Sequence, residues 1–403
     1  MTGVHHAGSI RTVVSGRGVP RTFAFALVGR LTYGVLPLCF LFTVRQSSGS
    51  FAVAAAASAA LGFATLAMPL QARLVDRFGQ RRVLPWYAAS YAAVLLTAAL
   101  VATANPPDLV WVGTGLLLGL SGPALGPSMR AQWREIAAEG PARRAAYSLD
   151  SIAEESLYLV GPLLAGLLLA TGPARLGLLV AGVLVLIGTA GLVTSAYVPG
   201  VEGAASDQPR SRSGLLRRPG LPALLATMAV LGTAGAACFV GVAATADRAG
   251  TPGAVGLVEA AMAVGAIVAG WAWSRLRVDP PWPRALAALL LVVLVGQVAA
   301  AASSPSLLLV GASLVVVGAT TVPVLVVAFT GADALVPPEQ RTEASTWVTT
   351  TLNGGSALGT ALAGAVLGAG PATPFWCAAG LTALALAVVT VRGRRLPARP
   401  LAD

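Results

Sequence analysis

Very few side chains in this sequence could do chemistry. Of its 403 residues, 27 are cationic and 16 acidic, and every cation is arginine. Without lysine there is no P-loop G-K-[ST] and no Schiff-base chemistry. The two histidines, His5 and His6, stand in the N-terminal tail, so no His-based metal site or Ser-His-Asp arrangement is expected further along the chain. Cys39, Cys238 and Cys377 each fall in an apolar run and read as packing residues. The expectation is a chain that is not an enzyme and carries no cofactor, no metal and no catalytic residue. What remains are isolated charges inside long apolar stretches: Arg30, Asp150, Glu154, Glu155 and Glu259, with the neutral Asn353.

Such charges are informative because an ionisable group deep in lipid costs at least ~2.5 to 3.5 kcal/mol and therefore faces a cavity or a partner. Arg30 lies ten residues beyond Pro20, about 15 Å along a helix. Asp150 and Glu154 share a helix face at i, i+4, whereas Glu155 points about 100° away. The reading is that Arg30 pairs with Glu154 or Glu155 and that one of these carboxylates takes up and releases a proton, since burial and a neighbouring cation act on it in opposite senses. A permanent pair that fixes helix packing is the alternative. Asp150 is expected to snorkel to the cytoplasmic surface. Glu259, in the eighth span, suits an outer vestibule or a second proton site.

The elements that must hold these residues follow from composition. Charged residues make up 11% of the chain and the AVILMFWYC set 56%, with 46 glycines besides; a soluble protein carries roughly 25% charge. This argues against a soluble enzyme, a nucleic-acid-binding module and a disordered chain. Residues 83–107, 109–129, 156–174, 176–201 and 219–246 contain no charge, and 285–332 and 344–391 run 48 residues each without one. A helix needs about 20 residues to cross a bilayer, so each of the two longest runs should be a helix pair. Twelve spans are predicted near 20–43, 50–70, 83–104, 109–130, 147–170, 176–197, 221–245, 254–273, 285–302, 307–329, 344–367 and 373–391. The period-2 alternation of a membrane barrel is missing. The fold class is an all-α polytopic membrane protein.

With the N-terminus inside, 23 arginines fall in inner segments and only Arg45, Arg175 and Arg248 in outer loops. The positive-inside rule then puts both termini in the cytoplasm, with the cytoplasmic (plasma) membrane as the expected location. The net charge of +11 is thereby read as orientation and not as affinity for nucleic acid. No removable signal peptide is read at the N-terminus. Trp271, Trp273 and Arg275 read as an interfacial anchor.

A Gly, Ser, Pro and Arg-rich stretch at 199–220 divides the chain into bundles 1–198 and 221–403. Shifting the second half back by 198 positions aligns 161–174 with 359–372 at eight identities in fourteen positions. The same shift sets Arg143 on Arg341, Arg77 on Arg275 and Glu155 on Asn353. Two pseudo-symmetric six-helix bundles are the implied architecture.

These features resemble the major facilitator superfamily of secondary transporters over essentially the whole chain. The segment from Ala72 to Arg82, with Asp76, Arg77, Gly79 and Arg81, resembles the family's G-x-x-x-D-R-x-G-R-R loop. Ala72 replaces its first glycine, and Gln80 stands where a cation is usual. The resemblance implies a gating loop, with Asp76 against a helix N-terminus of the other half and Arg77 and Arg81 paired with carboxylates such as Glu135. A second match, Gly161, Pro162 and Gly166, resembles the G-P-x-x-G-G core of the family's antiporter motif, with Ala165 for one glycine. It implies a hinge in the fifth span.

The implied function is alternating-access transport of a small molecule, most of all proton-coupled efflux of an amphipathic compound by a monomer in the lipid bilayer. Its cavity would be lined by Arg30, Glu154, Glu155, Glu259 and Asn353. Proton-coupled uptake of a small solute, or a non-transporting membrane sensor on the same fold, are the alternatives.

Overall fold

Long apolar runs become helices because in lipid only a helix satisfies all its backbone groups within one segment. The structure, a computed structural model, describes residues 16–138, 141–199, 218–275, 281–337 and 340–393. Its helices are α1 Val19–Ser48, α2 Phe51–Thr65, α3 Met68–Phe78, α4 Gln80–Val101, α5 Asp108–Ser121, α6 Leu125–Ile136, α7 Pro141–Thr171 and α8 Arg175–Val193. They continue as α9 Leu221–Arg248, α10 Ala254–Ser274, α11 Trp282–Ser303, α12 Leu307–Ala319, α13 Thr321–Leu335, α14 Arg341–Val366 and α15 Thr373–Gly393. No strand occurs among the described residues.

Among the described residues, ten segments are long and apolar enough to cross a membrane, and eleven when α2 is joined to α3. The predicted span not among these, near 344–367, is α14. It has 26 residues but carries Ser345, Thr346, Thr349, Thr350, Thr351, Asn353, Ser356 and Thr360. Several of these hydroxyls are absorbed by the helix itself: Thr350 Oγ1 donates to the Thr346 carbonyl at 2.9 Å and Thr360 Oγ1 to that of Ser356 at 2.9 Å.

The chain divides into two compact units, the first made of residues 1–49 and 64–206 and the second of 50–63 and 207–403. This differs from a single cut near 199–220, most of which lies outside the described residues. Residues 50–63 group with the second unit because small residues let α2 and α14 touch. A Cβ on Gly62 would lie 3.0 Å from that of Ala357, and one on Gly364 would lie 2.3 Å from that of Ala55.

Close approach at glycine holds each unit together, as expected where lipid removes the hydrophobic drive between helices. In the first unit α1 packs on α7 and α8. A Cβ on Gly161 would fall 2.5 Å from the Gly34 Cα, and one on Gly188 would fall 2.2 Å from the Gly29 nitrogen. In the second unit a Cβ on Gly232 would meet the Leu352 carbonyl oxygen at 2.0 Å, and one on Gly359 that of Thr233 at 2.1 Å. The 198-residue register carries Gly34 onto Gly232 and Gly161 onto Gly359. The repeat is thus written into the packing of both units.

Candidate functional site

Three ion pairs sit together in the first unit, at one level of α1, α6 and α7. Arg30 is eleven residues into α1 and Asp150 nine residues into α7, so both are about 14 to 16 Å from their helix starts. Arg30 Nη1 donates to Asp150 Oδ1 at 3.0 Å and Nη2 to Oδ2 at 3.3 Å. The same Nη2 donates to the Gly126 carbonyl at 3.2 Å. Arg30 is 3% and Asp150 2% exposed, which makes this a forked, buried pair.

Two expectations are corrected here. Arg30 pairs with Asp150 and not with Glu154, because Glu154 lies one helical turn further along α7. Asp150 does not snorkel, because its depth matches that of Arg30 and both its oxygens are engaged. The side chain of Glu155 lies outside the described residues. Glu154 is bound instead to Arg130 of α6, whose Nη1 is 3.5 Å from Glu154 Oε2 and 3.8 Å from Asp150 Oδ2. The side chains of Arg130 and Glu154 are 45% and 37% exposed, so the cluster runs from a buried pair to a half-exposed one.

The cluster abuts a break in the fourth span. Between α5 and α6, Gly122, Pro123 and Ala124 leave the helix, with ψ of 120° at Gly122 and 61° at Ala124. Freed carbonyls inside a membrane must find other donors. Gln71 Nε2 donates to Leu120 O at 2.7 Å and the Tyr33 hydroxyl donates to Pro123 O, while Arg30 reaches Gly126 O in the first turn of α6. Tyr33 and Arg30 are one turn apart on α1, so a single helix face serves both the break and Asp150.

The 72–82 segment forms a sharp joint. Gly79 links α3 to α4 with φ 83° and ψ 148°, and its N–H donates to Val75 O at 2.8 Å. This conformation is essentially restricted to glycine. Gly79→Ala is therefore expected to cost about 1 to 3 kcal/mol, read as a lower melting temperature of the purified protein; an unchanged melting temperature would show the joint to be pliable.

Gln80, where a cation is usual, is buried. Its Nε2 donates to Ser128 O at 3.0 Å, and its Oε1 accepts from Gln132 Nε2 at 2.9 Å. A cation has no acceptor to offer Gln132, which accounts for the amide. The expected pairing of Arg77 and Arg81 with Glu135 is corrected. Arg81 Nη2 donates to the Ser195 carbonyl at 3.2 Å and Arg77 lies 5.2 Å from the Phe78 ring centroid. Asp76 is exposed and Ala72 half-buried on α3.

In α7, Pro162 is accommodated within one continuous helix, and Gly161 serves the contact with Gly34; Gly166 is buried. Glu259 of α10 is half-buried and Asn353 of α14 exposed, both in the second unit. No group of three or more His, Cys, Asp or Glu residues able to hold a metal occurs among the described residues. Sequence reasoning missed Arg130, Tyr33, Gln71 and the Gln80–Gln132 link. The sign that marks Arg130 is the 198-residue register, which sets this arginine opposite an alanine.

The profile described as "Major Facilitator Superfamily" matches residues 22–330, and no curated protein sequence matches the chain. Among solved structures, the chain is similar to a bacterial homologue of the iron transporter ferroportin, at TM-score 0.74 and 13% identity over 93% of this chain and 98% of that one. It is likewise similar to the nucleoside transporter NupG, at TM-score 0.73 and 15% identity over 93% and 98%. A bacterial homologue of the lysosomal transporter Spinster matches at 0.69 and 14% over 93% and 96%. The matched profile spans most of the length and the shared fold nearly all of it: this chain is a multi-pass membrane protein of the major facilitator superfamily.

Proposed function

We propose that this secondary transporter exports a small amphipathic compound in exchange for protons, as a monomer in the cytoplasmic membrane with both termini in the cytoplasm. The observation that carries the reading is the cluster of Arg30, Asp150, Arg130 and Glu154, whose Arg30–Asp150 pair is buried well inside two membrane helices. Charges at this depth are costly and mark substrate or ion pathways. Glu154 is the first candidate for the exchanged proton, being half-exposed and held by one contact of 3.5 Å to Arg130. Glu259, with no hydrogen bond or ion pair among the described residues, is the second candidate. The apolar walls suit an amphipathic solute better than a heavily hydroxylated one.

Reconstitution tests this directly, with ethidium as the probe. Liposomes with an acidic interior are expected to accumulate ethidium through the protein, and Glu154→Gln is expected to uncouple accumulation from the gradient. Equal accumulation at symmetric pH would remove proton antiport from the reading.

A further inference from the structure

The repeat supplies an internal control for the charged cluster. In the 198-residue register Arg30 corresponds to Met228, Gly126 to Val324, Arg130 to Ala328, Asp150 to Val348 and Glu154 to Leu352. All five counterparts belong to one apolar core of the second unit: Met228, Val324, Ala328 and Val348 are buried in it and Leu352 packs against it. The second unit thus closes the equivalent crossing of its helices with hydrocarbon alone. Buried ion pairs are often neutral or destabilising beside such packing. Packing at this crossing therefore does not by itself account for the charges.

The unused hydrogen-bonding capacity says which kind. Both oxygens of Asp150 are engaged. Arg30 Nε is buried with no acceptor, and the closest approaches of Arg130 to its carboxylates, 3.5 and 3.8 Å, are both made by Nη1. The cluster therefore has N–H donors to spare and is short of acceptors. Gly126 adds the space. A Cβ there would lie 3.5 Å from Arg130 Nη2 and 3.8 Å from Arg30 Nη2, so the absent side chain leaves two guanidinium groups beside one spot. In the second unit Val324 fills the corresponding position.

We propose that the spot beside Gly126 binds an oxyanion, a carboxylate or a phosphate, borne by the solute; that the solute is then carried across the membrane rests on the transport reading above. Arg130 contacts the oxyanion, and Arg30 and Asp150 are positioning residues that hold the far side of the site. Glu154, half in water already, yields its place on Arg130 when the anion arrives.

The test is binding to the purified full-length protein in detergent, read as melting temperature at matched ionic strength. The probes are hexanoate, hexyl phosphate and the neutral hexanamide. At least one anion is expected to raise the melting temperature more than hexanamide does, and which of the two does so distinguishes a carboxylate from a phosphate site. Arg130→Ala and Gly126→Val, the latter filling the space, are each expected to weaken that binding by at least about tenfold. Glu154→Gln, which removes the competing carboxylate, is expected to tighten it, and decides the matter should the other variants not fold. The proposal is overturned if neither anion exceeds hexanamide, if the response survives Arg130→Ala, or if Glu154→Gln weakens it. Binding of an anion without gradient-driven transport of that same anion into liposomes would leave this site standing and remove only the transport reading.

Discussion

Asp150→Val alone is expected to destabilise the purified protein by about 3 to 5 kcal/mol, whereas Arg30→Met with Asp150→Val should recover most of that loss. The single change strands the Arg30 guanidinium, 3% exposed, with only the Gly126 carbonyl as partner. Arg30→Met alone should cost less, because Arg130 already stands 3.8 Å from Asp150 and can take over part of the pairing. The double variant installs the residues that the second unit uses at Met228 and Val348, which are fully buried in its core. A double-mutant cycle on melting curves measures the coupling. If the double variant is no more stable than Asp150→Val, the two units do not solve this crossing in equivalent ways.

Gly161→Ala carries the second large effect. Its Cβ would fall 2.5 Å from the Gly34 Cα and 2.7 Å from the Gly34 carbonyl carbon. These are backbone atoms that no rotamer change can move aside, so α1 and α7 must separate. Overpacking typically costs about 1 to 3 kcal/mol and occasionally more; here the shift also disturbs Arg30 and Asp150, so the upper end is expected. Gly113→Ala is the matched control, since its Cβ would meet nothing within 4 Å. Helix propensity alone should make that change neutral or stabilising by up to about 1 kcal/mol. Equal melting temperatures for the two variants would mean that the crossing at Gly34 and Gly161 is loose.

Much of the architecture was legible because charge-free length and arginine placement are strong signals in a membrane chain. Span limits near 83–104 and 176–197 agree with α4 and α8, and the register that aligned 161–174 with 359–372 proved to align glycine contacts as well. Partnership was harder to read. Helix periodicity placed Asp150 and Glu154 on one face, but the depth at which α7 starts, Pro141, decides which of them meets Arg30. That start was predicted near 147, which makes Asp150 look shallow. The break at Gly122–Ala124 was also hidden, because its carbonyls are served by Gln71 and Tyr33 from distant segments. Gln80 looked like a departure from a charged motif, and only its contact with Gln132 shows what the amide does.

The hydroxyl-rich character of α14 bears on biogenesis. A segment whose threonines satisfy themselves but contribute little hydrophobic drive is a poor membrane anchor when it leaves the ribosome. Its partition into the bilayer must lean on segments already there, above all α9, whose Gly232 backbone it touches, and on α15 made just after it. Entry of α14 into the lipid is consequently coupled to its neighbours, whereas α11 and α15 are apolar enough to enter alone.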